Sequence, residues 1–288
     1  MLFRSHQLVK KLTASEFPGL QQVHAVDAAG VHPLLLAVGS ERYMPFRERQ
    51  PEEILTIANR LLGSGQTSLA KYLIIAADGD DASLNCHNIP EFFAHVLCRV
   101  DWRRDLHFQT KTTIDTLDYS GEGWNAGSKL IIACCGKVLR TLTNELPTNF
   151  KLPEFCKEVA FVQPGILAIS AKKFEDYQSA EAEMNLIATL LEQTELSALP
   201  LIIVCDDAQF LTADTNNFIW ATFTRSNPSH DIYGVASVSK FKHWSCRDTL
   251  IIDARIKPHH APELVPDEAT KLKVDKLFSK GGELYGKV

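Results

Sequence analysis

Tyr72-Leu73-Ile74-Ile75-Ala76-Ala77-Asp78 and Leu201-Ile202-Ile203-Val204-Cys205-Asp206-Asp207 are two apolar runs closed by acidic residues. Each run is too short for a helix, and both are Leu- and Ile-rich without polar alternation, the signature of a strand buried on both faces. Working outward from these runs, the flanks correspond in order. Phe17-Pro18-Gly19-Leu20-Gln21-Gln22-Val23 reads against Leu152-Pro153-Glu154-Phe155-Cys156-Lys157-Glu158-Val159, and Leu34-Leu35-Leu36-Ala37-Val38 against Ile166-Leu167-Ala168-Ile169-Ser170. Cys98-Arg99, with Asp105 beyond it, reads against Thr224-Arg225 with Asp231. Pro18 and Pro153 lie 135 positions apart, Asp78 and Asp206 128, and Arg99 and Arg225 126. Landmarks in one order at a nearly constant offset predict two tandem copies of a unit of about 130 residues.

Each copy has the same plan. In the first, Pro51-Glu52-Glu53 opens a helix whose stripe is Ile54, Ile57, Ala58 and Leu61, with Gly63 as its stop. The second-copy counterpart is predicted over residues 179–192, with Met184, Ile187 and Leu191 on one face. After the second strand of each copy comes another helix. Asn88-Ile89-Pro90-Glu91 reads as a capping box ahead of Phe92, Phe93 and Val96, and Asp214 caps the segment carrying Phe218, Ile219 and Thr222. Strand, helix, strand, helix at these lengths implies right-handed crossovers and a mainly parallel sheet in each copy, an α/β fold. The expected division is a linker or helix over 1–15, copy one over 16–143, copy two over 144–272 and a tail over 273–288, with residues 141–151 as the joint.

Composition narrows the function. The 288 residues are 45% hydrophobic and 23% charged, which excludes disorder and coiled coil, and the net charge of −5 offers no field for nucleic acid. Apolar runs stop at six residues, far short of the ~20 that span a bilayer. Seven scattered cysteines without a C-x-x-C pair fit a reducing cytosol, and the protein is expected to be cytoplasmic.

The candidate sites are few. Residues 63–71, Gly-Ser-Gly-Gln-Thr-Ser-Leu-Ala-Lys, fail the phosphate-loop spacing and follow a helix instead of a strand, so a helix end and turn is the reading. Lys71 remains a candidate for reaching a phosphate from another segment. Cys134-Cys135 read as core thiols, and His259-His260 as a solvated loop. Asp78, Asp80 and Asp81, like Asp206 and Asp207, stand at the C-terminal end of a parallel strand, where α/β sheets bind ligands. They could hold Mg²⁺, or form turns and cap the next helix. Arg225 and Asp231 straddle a Pro turn and read as an ion-paired clamp, repeated as Arg99 and Asp105.

The helix motif Phe218-Ile219-Trp220-Ala221-Thr222-Phe223-Thr224-Arg225, with Pro228 and Asp231, is similar to the C-terminal domain of the UbiD family, decarboxylases of aromatic and unsaturated acids. The first copy resembles the same domain through Ser68-Leu69-Ala70-Lys71, Arg99 with Asp105, and Gly127-Ser128-Lys129-Leu130, which looks like the family's G-S-K-[LM] turn. The resemblance covers about residues 1–270. It departs at Val100-Asp101-Trp102 in copy one and at Arg247-Asp248-Thr249-Leu250 in copy two. It implies prenylated FMN with Mn²⁺ and K⁺ in a separate split-barrel domain, a role in quinone biosynthesis, and a C-terminal domain that builds a homo-oligomer and covers one wall of the active site. It also implies that Lys71 approaches the flavin phosphate. No stretch ahead of Leu2 and no E-G-P-[FY]-G-E motif supplies the flavin domain. The chain is therefore expected to be the C-terminal part of a longer decarboxylase, inactive alone and partnered by the upstream flavin domain, or a non-catalytic assembly module derived from one.

Overall fold

A computed structural model of the chain describes residues 15–42, 46–262 and 267–287. The linker or helix expected over 1–15 falls, Ser15 excepted, outside the described residues. The first unit runs β1 (Leu20–Ala25), β2 (Leu34–Gly39), α1 (Glu53–Leu62), β3 (Tyr72–Ala77), α2 (Ile89–Leu97), β4 (Leu106–Thr113) and β5 (Ala126–Cys134). Residues 141–151 contain no strand or helix. The second unit runs β6 (Cys156–Gln163), β7 (Ile166–Ala171), α3 (Tyr177–Leu191), β8 (Leu201–Cys205), α4 (Ala208–Thr212), α5 (Thr215–Thr224), α6 (Pro228–Asp231), β9 (Ile232–Gly234), a hairpin of β10 (Val238–Lys240) and β11 (His243–Ser245), and β12 (Leu250–Asp253). Helix α7 (Glu268–Phe278) follows.

The two five-stranded sheets repeat one topology. Their orders are β1-β2-β3-β5-β4 and β6-β7-β8-β12-β9. In each, the three central strands are parallel and both edge strands antiparallel. The expected α/β class with mainly parallel sheets is what the chain adopts.

Strand periodicity explains the layering. Alternate residues of β2 and β3 point to opposite faces. Leu35, Ala37, Leu73 and Ile75 meet the α1 stripe of Ile54, Ile57, Ala58 and Leu61. Leu167, Ile169, Ile202 and Val204 meet Met184, Ile187 and Leu191 of α3 in the same way. The remaining set from both sheets (Leu34, Leu36, Tyr72 and Ile74; Ile166, Ala168, Leu201 and Ile203) lies in one common core. Between the sheets, α2 contributes Phe92 and Phe93, and α5 contributes Phe218 and Phe223. Phe93 meets Phe218 edge-on at 5.5 Å, and Tyr72 meets Phe223 at 5.0 Å. The Trp102 indole donates to Pro200 O across the boundary at 2.9 Å. The two units thus share an interior.

Helix ends follow the sequence only where the cap is local. Asp176, Asp207 and Asp214 accept from Ser179, Phe210 and Asn217 N–H and start α3, α4 and α5. Asn88 makes no side-chain cap, so the expected capping box is absent. Helix α1 is capped from a distance. Glu41 Oε2 accepts from the N–H groups of Glu52, Glu53 and Ile54, satisfying three donors that a helix start leaves open. Residues 127–130 lie inside β5 and form no turn. A Cβ at Gly127 would stand 2.7 Å from Ile114 Cδ1, so close packing selects glycine there.

Candidate functional site

Lys71 precedes β3, the central strand of the first sheet, and its side chain is fully enclosed. Its ammonium lies 2.8 Å from Asp118 and donates to Ser120 Oγ at 2.5 Å. Burial lowers its pKa and Asp118 opposes that fall. An ammonium so engaged reaches a phosphate only by abandoning Asp118; in this structure Lys71 sits in a buried ion pair. One residue on, the Tyr72 hydroxyl donates to Ser226 Oγ at 2.7 Å, because that hydroxyl already donates to Thr222 O.

The two clamps are built differently from the expectation. Asp105 and Asp231 each accept a backbone N–H four residues back, from Asp101 at 2.9 Å and from Asn227 at 2.6 Å. Their ionic partners are not Arg99 and Arg225. Asp105 pairs with Arg104 at 2.5 Å, and Asp231 with Lys257 at 3.2 Å. Arg99 donates to His95 O, while Arg225 stands 3.6 Å from Asp206 and 4.6 Å above the Trp220 ring. The spacing that repeats in sequence marks a carboxylate closing the turn after each helix. Around Asp231 and Lys257 the burial is nearly total. It pushes the Asp231 carboxyl up to about 7, with Lys257 opposing and Asp253 reinforcing. Lys257 also donates to Arg225 O and Asp253 O, and its neighbour Arg255 pairs with Asp253 and Glu183.

The acidic strand ends are engaged by the protein itself. Asp78 accepts from Ser40 Oγ, and Asp80 pairs with Arg49 and accepts from Gly136 N–H. Asp206 accepts from Ile256 N–H, and Asp207 caps α4. Among the described residues no group of three or more His, Cys, Asp or Glu is arranged to hold a metal ion. Cys134 and Cys135 are buried, and burial raises both thiols, Cys135 to about 12. His260 accepts from Lys257 N–H and is held down at about 3 by burial.

Two cavities open at the boundary between the units, on either side of α6. One, of about 520 Å³, lies above the Lys71–Asp118 pair, among the 116–124 loop, Tyr177, His230 and His259. The other, of about 530 Å³, lies between β4 and the β10–β11 hairpin and includes Phe108, Ser229 and Trp244. Sequence reasoning missed Asp118, Ser120 and Lys257. The available signal was that Lys257 closely follows the end of β12, another parallel central strand.

The family match extends across both of these interlocked α/β units. The chain matches the 3-octaprenyl-4-hydroxybenzoate carboxy-lyase C-terminal domain over residues 3–134 and 151–243. It belongs to the UbiD family, through the family's C-terminal domain. A protein of Chlamydia trachomatis serovar D is 32% identical over 270 residues, covering 92% of this chain and 42% of the relative. A Chlamydia pneumoniae protein, named as a subunit of 4-hydroxybenzoate decarboxylase, is 30% identical over 263 residues, covering 91% and 41%. The chain therefore spans about two-fifths of the length of these curated relatives. Among solved structures, the UbiD-class enzyme HmfF from Pelotomaculum thermopropionicum in complex with FMN aligns over 47% of this chain and 27% of its own, at 13% identity and a TM-score of 0.38.

Proposed function

We propose that this chain is the C-terminal region of a UbiD-type decarboxylase acting on aromatic or unsaturated carboxylic acids, of the kind used in quinone biosynthesis. In this reading copies one (16–143) and two (144–272) form a rigid platform in the cytoplasm that supports a homo-oligomer and covers one wall of the active site. The observation that carries it is the family match through both units, joined to a chain that spans two-fifths of its relatives. The name of the Chlamydia pneumoniae relative supports the reaction class.

Prenylated FMN would supply the electron sink for CO₂ loss. The residues of this chain do not fit that group. Lys71 is held by Asp118, and among the described residues neither Lys nor Arg lines the boundary cavity beside it, where a phosphate would need them. In this reading the flavin, with Mn²⁺ and K⁺, is held by the portion of the relatives that this chain does not span, and no catalytic step is assigned to residues here.

The test combines the purified chain with the remaining portion of the Chlamydia pneumoniae relative. Flavin absorbance, native mass and CO₂ release from 4-hydroxybenzoate are then followed. The chain alone should be colourless and inactive, and the mixture should associate and release CO₂. Flavin retained by the chain alone, or failure to associate, would overturn the reading. A second reading, a non-catalytic assembly module, is favoured by α7, which carries Leu272, Val274, Leu277 and Phe278 exposed and buries no residue. Association without CO₂ release would select it.

A further inference from the structure

The cavity of about 520 Å³ at the unit boundary has a charge pattern set by one hydrogen-bond relay. Ser128 N–H donates to Asn227 Oδ1 at 3.0 Å, which fixes the orientation of the Asn227 amide. Its Nδ2 therefore donates to His230 Nδ1 at 3.1 Å, and the Ser229 hydroxyl stands 2.8 Å from the same nitrogen. With Nδ1 an acceptor, the ring proton lies on Nε2, which faces Glu122 Oε1 at 3.2 Å. The backbone of β5 thus fixes the His230 tautomer so that its Nε2–H donates to the Glu122 carboxylate. The Glu122 side chain remains 49% exposed at the cavity edge with its second oxygen open.

The rest of the lining leaves that carboxylate without a cationic neighbour. Among the described residues neither Lys nor Arg lines the cavity. The ammonium of Lys71 is consumed beneath it by Asp118 and Ser120. Burial, and Lys257 behind it, lower the His259 imidazole from its ordinary value. The walls are aromatic: Tyr119 and Trp124 at the mouth, and Tyr177 packed against His230 at 5.1 Å and His259 at 6.2 Å. Ring faces attract cations, and the attraction grows when a carboxylate supplies the counter-charge. A carboxylate ligand would meet Glu122 with like charge and find neither Lys nor Arg among the described lining residues, so this cavity does not suit the acids of the decarboxylation reaction.

We propose that this cavity binds an organic monocation, a substituted ammonium seated among Tyr119, Trp124 and Tyr177 with Glu122 as its counter-ion. The volume accommodates a ligand of small-molecule size. The site stands on this chain alone and is independent of the decarboxylase reading.

The test titrates the purified chain with benzyltrimethylammonium, followed by calorimetry and ligand-observed NMR. The neutral 3,3-dimethylbutan-1-ol and the anion benzoate are titrated in parallel. The ammonium should bind saturably and more tightly than either. Glu122→Gln keeps the shape and removes the charge, and should weaken binding about fivefold or more. Trp124→Ala should weaken it to a similar degree, about fivefold. Both positions are exposed, Trp124 at 83%, so neither change threatens the fold. Benzoate or the alcohol binding as tightly, no binding of the ammonium, or unchanged affinity in Glu122→Gln would overturn the proposal.

Discussion

In the first unit Asp105 closes the turn after α2, and in the second Asp231 closes the turn after α5, each accepting the N–H four residues back. There the likeness stops. Asp105 faces Arg104, whose side chain is one-third exposed, whereas Asp231 faces Lys257, which is sealed. The helix starts differ in the same way. Helix α1 relies on Glu41, eleven or more residues upstream, and α3 on the adjacent Asp176. What repeats is what backbone geometry demands, namely strand order, the alternation of faces and a carboxylate on an open turn. What differs is the side chain recruited from elsewhere, which the local sequence leaves unspecified.

The largest perturbation should ignore the division into units. Phe93 and Phe218 meet in the shared core, and Phe93→Ala or Phe218→Ala should each cost about 3–5 kcal/mol. In urea both variants should still unfold in a single transition reported alike by Trp102 and Trp220. Two separate transitions would mean that the units are independent and would break the shared-core account.

The two capping carboxylates should separate next. Measured at about pH 8.5, where the Asp231 carboxyl is ionised, Asp231→Asn keeps the acceptor for Asn227 N–H but leaves Lys257 buried without its counter-charge, a loss of about 3 kcal/mol. Asp105→Asn should lose about 1 kcal/mol, since Arg104 can turn to water. Equal losses would deny that burial of the cation distinguishes the units.

Acid should weaken both units through histidines held neutral by burial. His95 in the first is held at about 4, with the Arg99 charge adding to burial, and His260 in the second at about 3. Unfolded, each takes a proton near 6.5, so stability is full above that pH and falls as pH drops from about 6.5 toward 4. The slope per histidine is at most about 1.4 kcal/mol per pH unit. His95→Gln should flatten it, and an unchanged slope by pH-resolved urea unfolding would remove His95 from the account. The caps come last. Asp176→Ala and Asp214→Ala should each cost about 1 kcal/mol in thermal unfolding, and Asn88→Ala close to nothing, because the Asn88 side chain bonds no helix N–H.

Strands were legible because burial on both faces leaves an unbroken apolar run, and β3 and β8 lie at the predicted positions. Local caps were legible too, as Asp214 shows. The interlocking of α2 with α5 was not. Phe93 and Phe218 read as core residues of separate units, and nothing in a one-dimensional pattern says that two cores are one. The Arg–Asp spacing misled because both residue types favour the end of a helix for unrelated reasons: Asp231 serves an N–H and Arg225 covers Trp220. The partner of Lys71 was not legible either. Nothing beside it in the chain signals that Asp118, 47 residues away, returns to claim its charge.

The segment over 141–151 adds Leu142 to the shared core, but the aromatic faces of α2 and α5 and the Trp102–Pro200 contact join the halves without it. It is a tether and not a hinge. Residues up to 140 and residues from 151 onward, made as separate polypeptides in one cell, should find each other and rebuild the interior. That makes the joint a natural place to split the protein into complementing fragments, or to splice in a foreign domain.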